Sequence, residues 1–118
     1  MSFSFSITRE ASRDILETLA WSNNSFGPDA RVAYEALIIV TLKQIQHGPT
    51  SLGTRDRGDL AVGARTLHLR TCRSRVRRGV RKVGRPRHLA FYQCAKPKVR
   101  VVRLLHESAD TNQVKFDN

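Results

Sequence analysis

Phe3, Phe5 and Ile7 alternate with Ser2, Ser4, Ser6 and Thr8. A period of two is the signature of a half-buried strand, and Thr8 at its end is suited to cap a helix. Glu10 then falls in the first turn, where the helix dipole favours a carboxylate. Ala11, Ile15, Leu16, Leu19 and Ala20 recur at three- and four-residue steps, which predicts an apolar helix face running to about Trp21. Ser22-Asn23-Asn24-Ser25 interrupts that pattern, and Gly27-Pro28-Asp29 restarts it, with Pro28 fitted to a first helical position. Ala30, Ala33, Tyr34, Leu37, Ile38, Thr41 and Ile45 line a second face. Leu37 to Val40 would pass for a strand on β-branching alone, but it lies inside the longer helical period, which Gly48-Pro49 closes. The prediction is an αα-hairpin.

Pro49 to Gly63 is polar and aperiodic and is expected to be a loop. Three strands are predicted after it: Arg65 to Arg70, His88 to Cys94, and Val99 to His106. Between the first two, Thr71 to Arg87 is dense in Arg and reads as a long mobile hairpin loop; Ala95-Lys96-Pro97-Lys98 joins the last two as a short turn. From Glu107 onward one helical turn and a strand-like tail, Gln113 to Phe116, are expected. The order is β-α-α-β-β-β. It predicts a single α+β domain over residues 1–118, with the hairpin on one face of one twisted sheet.

Composition removes several classes. No apolar run approaches the roughly 20 residues that span a bilayer. The N-terminal segment has no basic stretch followed by an apolar block, so it does not read as a signal peptide. Cys72 and Cys94 have no CxxC partner and cannot build a zinc site by themselves, so no metal and no cofactor are expected. Free thiols in a cytoplasmic protein are favoured over a disulfide.

Charge changes the picture more. The net charge is +11, and Arg65 to Arg103 holds fourteen Lys and Arg and no Asp or Glu, while the rest of the chain is close to neutral. Such asymmetry points to an anionic partner: nucleic acid, a ribonucleoprotein or an acidic protein segment. The expectation is a cationic sheet, with Arg70, Arg73, Arg75, Arg77, Arg78, Arg81, Lys82, Arg85 and Arg87 as the target- or anion-binding set.

Pro86-Arg87-His88-Leu89-Ala90-Phe91-Tyr92-Gln93 and, after the turn, Val99 to Asp110 with its Leu105-His106 ending form a pattern. It resembles the C-terminal half of ParE toxins, in the RelE/ParE superfamily of toxin–antitoxin systems. Gly27, Ala30, Tyr34 and Leu37 fall where that family's second helix has the same residue types, and Ala64 to Arg70 looks like its second strand. Ala109 stands where the family usually has Met, and the insert Thr71 to Arg85 is longer than in the shortest members. The resemblance implies a cytoplasmic toxin of the plasmid-stabilisation kind, with DNA gyrase as target and a cognate ParD-like antitoxin as partner. It implies action by binding, without catalysis by the toxin itself. The antitoxin-binding residues would be Trp21, Tyr34, Leu37, His106 and Asp110.

The superfamily also holds RelE-like, ribosome-dependent mRNA endoribonucleases, and this is the alternative. That chemistry needs a base for the ribose hydroxyl, cations for the phosphorane and an acid for the leaving oxygen. The candidates are Arg65, His68, Arg70, His88, Tyr92, Arg103 and His106, with Glu107 just beyond. A sheet-borne Asp or Glu acid–base pair is excluded by the acid-free stretch. Tyr92 and each His taken alone read more readily as structural. A second alternative is a basic nucleic-acid-binding module. There is no P-loop, no GxGxxG after a strand, no HExxH and no nucleophile elbow.

Overall fold

The computed structural model describes residues 4–116. Ser2 and Phe3, the start of the predicted first strand, lie outside the described residues. Strand β1 (Ser4–Ile7) leads into helix α1 (Arg9–Phe26), and α2 (Pro28–His47) folds back on it. A two-residue strand β2 (Arg55–Asp56) precedes β3 (Ala64–His68). Then come a 3-10 segment (Leu69–Arg75), β4 (His88–Ala95), β5 (Lys98–His106) and a 3-10 turn (Thr111–Gln113). One five-stranded sheet has the order β1-β5-β4-β3-β2. β1 runs parallel to β5, and every other pairing is antiparallel.

The α+β prediction is met, with local corrections. Thr8 does cap α1: its hydroxyl accepts from the Ala11 N–H at 3.1 Å and donates to the Val102 carbonyl at 2.9 Å. Ser22-Asn23-Asn24-Ser25 does not end the helix. α1 continues to Phe26 because Ser22 is buried against its surroundings, and packing outweighs the weak propensity of Ser and Asn. The corner is Gly27 alone, at φ +96°, a left-handed conformation that suits glycine. The inward face of α1 is also rotated from the predicted one. Ala11, Asp14, Thr18, Leu19 and Ser22 are buried, whereas Leu16 is 67% exposed and Ala20 is exposed. The predicted face of α2 is correct from Ala33 to Ile45.

The sheet is covered on both sides. Leu37, Ile45, Leu67, Leu69, Tyr92, Val99 and Val101 form the main core under the helices. Phe91, Val102, Leu105 and Val114 form a smaller one on the opposite face, joined by Leu60, Ala109 and Phe116. The C-terminal tail is therefore a lid on that face, not the strand predicted for Gln113 to Phe116. The predicted loop Pro49 to Gly63 contains β2, which pairs with β3. It ends at Gly63, which has a φ of +79° and lies so close to the Cys94 carbonyl that a Cβ there would clash with the oxygen.

Thr71 to Arg87 is not a loose hairpin loop. Leu69, Cys72 and Val76 are buried, Val80 and Val83 pack on the main core, and Pro86 is buried. The apolar residues of this connection pin it to the domain while its cations point outward.

Candidate functional site

β5, β4 and β3 are the three inner strands of the sheet, and β3 and β5 end where β4 begins, at one end of the sheet. Antiparallel pairing thus brings three histidines together from distant positions. His88 is directly opposite His106, with ring centroids 5.5 Å apart, and His68 is opposite Leu89, the neighbour of His88. Neither α-helix is remote: Trp21 of α1 and Tyr34 of α2 each place a ring 5.5 Å from the His88 ring.

The hydrogen bonds fix how these imidazoles are used. The Arg70 N–H donates to His68 Nδ1 at 3.1 Å, so the proton of His68 is on Nε2, which lies 2.9 Å from Glu107 Oε1. The Ser108 N–H donates to His106 Nδ1 at 3.1 Å, and the Ser108 hydroxyl lies 2.7 Å from the same nitrogen. Tyr34 accepts from the Arg87 N–H at 3.1 Å, which leaves its own proton for His88 Nδ1 at 2.6 Å. On this assignment each Nδ1 lone pair is occupied from within the protein, and each ring presents Nε2–H.

Burial, followed by the neighbouring His106 and His68, lowers the His88 pKa to about 4. The same burial raises the Tyr34 phenol. Glu107 is held below the usual carboxylate range by its hydrogen bonds from His68 and Arg87, the latter at 3.2 Å. Glu107 thus brings a carboxylate to the sheet end from just outside the acid-free stretch. The exclusion of a carboxylate from this region, read from sequence, does not hold in space.

Of the other candidate nuclease residues, Arg65 and Tyr92 are elsewhere, whereas Arg103 borders a recess that His88 and His106 also line, but is engaged by Asp14. Arg65 donates to Thr54 Oγ1 at 2.8 Å and lies 3.7 Å from Asp56. Tyr92 is fully buried, with its hydroxyl donating to the Pro49 carbonyl, in keeping with its structural reading. Arg103 makes a bidentate pair with Asp14, through Nε at 2.6 Å and Nη2 at 3.0 Å; the Leu104 N–H donates to the same carboxylate. Arg70 alone among the candidate arginines is exposed at the histidine end of the sheet.

The expected cationic sheet is corrected as well. The sheet arginines Arg65 and Arg103 are paired, and the cationic surface is the connection between β3 and β4. Arg70, Arg73, Arg75, Arg77, Arg78, Arg81, Lys82 and Arg85 are exposed there and form no ion pair among the described residues. Arg73 braces the connection by donating to the Val83 carbonyl at 2.6 Å. Arg87 is tied to Glu107.

Between this connection and the helix hairpin lies a recess of about 560 Å³ lined by Trp21, Phe26, Tyr34, Arg81, Arg85 and His106, among others. Of the residues expected to meet a partner chain, Trp21 is 40% exposed and His106 and Asp110 are exposed. Tyr34 forms part of the recess floor. Leu37 is completely buried in the main core and presents no surface, which removes it from that set. Phe26, 67% exposed, was missed because it falls after the apparent break at Ser22 to Ser25. Among the described residues, no group of three or more His, Cys, Asp or Glu is arranged to hold a metal ion. No described helix is long and apolar enough to cross a membrane.

No family model and no curated protein matches the chain. Among solved structures, a chain of the chromosomal ParDE TA system from P. aeruginosa is similar with a TM-score of 0.64 and 17% identity. The match covers 89% of this chain and 96% of that one. A match at that identity is one of fold, and this chain shares its fold with a chain of the ParDE TA system.

Proposed function

We propose that this protein is the toxin component of a type II toxin–antitoxin system, ParE-like, acting by binding and neutralised by a cognate ParD-like antitoxin. The observation that carries the reading is the ParDE-like fold, which here bears a connection of outward, unpaired cations. An acidic, partly disordered antitoxin would be drawn to such a surface and would mask it on folding. The imidazoles favour binding over bond cleavage, because the Nδ1 lone pairs of His68, His88 and His106 are already used internally, and the Glu107 carboxylate is held by His68 and Arg87. A general base must offer a lone pair to its substrate. DNA gyrase is the proposed target. Purified protein is expected to inhibit gyrase supercoiling, and the co-expressed antitoxin to relieve the inhibition. Unimpaired supercoiling with excess protein defeats the target assignment. A short neighbouring gene for a ribbon-helix-helix-like protein supports the class.

One observation favours a second reading, ribosome-dependent mRNA cleavage: His68, His88, His106, Glu107 and Arg87 converge at one end of the sheet. Primer extension on translated messages after induction is then expected to show codon-linked cuts. Their absence ends it.

A further inference from the structure

The recess beside the helix hairpin combines two chemistries. Its wall is aromatic and accessible: Trp21 is 40% and Phe26 67% exposed, with rings edge to face at 5.6 Å. Its rim is cationic, with Arg81 and Arg85 exposed and no described carboxylate lining the space. An apolar recess alone would suit any aliphatic side chain, and a cationic rim alone any anion. Together they fit a flat ring with apolar faces that is joined to an anion.

We propose that this recess takes an unstacked base of a single-stranded nucleic acid, with Trp21 and Phe26 as its stacking surface and Arg81 and Arg85 on the adjoining phosphates. Single strands are bound in this way, by aromatic side chains under the bases and a basic track under the backbone. A paired strand cannot enter, because its bases are already stacked. The occupant is a strand and not a free nucleotide because the cations continue past the recess. Arg73, Arg75, Arg77 and Arg78 lie further along the same connection, exposed and without ion pairs among the described residues, beyond what one nucleotide would use. The inference does not rest on toxicity or on gyrase; it follows from this recess and its rim.

The chain has a single tryptophan, and it lies in the recess, so its emission reports directly on stacking. The probes are a thymidine oligonucleotide, an abasic strand of the same length, thymidine monophosphate and a blunt duplex. Saturable quenching is expected with the oligonucleotide alone, while the abasic strand binds at low salt without quenching. Phe26→Ala, at an exposed position, is expected to weaken oligonucleotide binding about tenfold, the scale of one base–aromatic stack. Arg81→Ser with Arg85→Ser should reduce the slope of log affinity against log salt by about 1.4, as for two lost single-strand phosphate contacts. Quenching by the abasic strand, equal affinity for thymidine monophosphate or for duplex, or no quenching at low salt would each overturn the proposal. Circular dichroism checks the variants, and the arginine pair decides the matter if Phe26→Ala does not fold. Normal gyrase inhibition without quenching leaves the gyrase assignment standing and removes this proposal; quenching without inhibition does the reverse.

Discussion

Arg103 and Arg85 come from the same acid-free stretch of chain, and the fold uses them in opposite ways. Arg103 lies on a central strand and is locked in a bidentate pair with Asp14, a carboxylate 89 residues away in sequence. Arg85 lies on the connection between β3 and β4, exposed and without an ion pair among the described residues. The sheet imports carboxylates to settle its arginines, because a partly buried charge without a partner is costly. The connection imports none for its outermost cations. Water solvates them, and they stay available to another molecule. What separates paired from unpaired arginine here is therefore the surroundings and not the local sequence.

The pair on the sheet is the place to break this contrast. Asp14→Ala leaves Arg103 and the Leu104 N–H without their acceptor, and the expected loss is about 3 kcal/mol in denaturant unfolding. A loss under about 0.5 kcal/mol would mean that the Arg103 pair is no more structural than the connection's free cations.

Val76 tests whether the connection is truly pinned. Val76→Ala is expected to cost about 2 kcal/mol and to speed tryptic cleavage between Arg73 and Arg87, since local opening exposes those sites. Unchanged cleavage would restore the picture of a loose loop.

His88 sharpens the comparison through pH. Its pKa in the fold is about 4, against an ordinary value near 6.5, so the unfolded chain binds the extra proton between those values. Its contribution is complete above about pH 6.5, declines as pH falls toward 4 and is gone below that. The titratable groups facing it are Tyr34, hydrogen-bonded to its Nδ1, and His106, His68, Glu107 and Asp14. Between pH 7 and pH 5 the loss is expected to be on the order of 1 kcal/mol, and His88→Asn should flatten that slope. An unaltered slope in the variant would assign it to other groups.

The smallest effect belongs to the outward cations. Arg77→Ser is expected to change stability by less than about 0.5 kcal/mol while weakening binding to an anionic partner. A larger loss would show that this arginine is structural after all.

The elements themselves were legible because each has a periodic signal. Ser4 to Ile7 alternates, Ala33 to Ile45 keeps a helical period, and His88 to His106 carries two β-rich runs around a turn. The end of α1 was not legible, because Ser22 looks like a break until α1 and α2 pack together. The anchoring of the connection did leave a trace in Leu69, Cys72, Val76, Val80 and Val83, spaced at three and four residues, but the intervening arginines masked it. At the site, each histidine could be named from sequence, yet their meeting at one end of the sheet could not.

The sequence by itself determined the α+β order, the inward face of α2 and the concentration of charge, since periodicity and composition are local properties. Tertiary structure alone decided which arginines are neutralised, that Glu107 joins His68 and Arg87, and that Trp21 and Phe26 border a recess under Arg81 and Arg85. Those facts depend on strand register and helix packing, which join residues far apart in the chain, and no local pattern encodes such pairings.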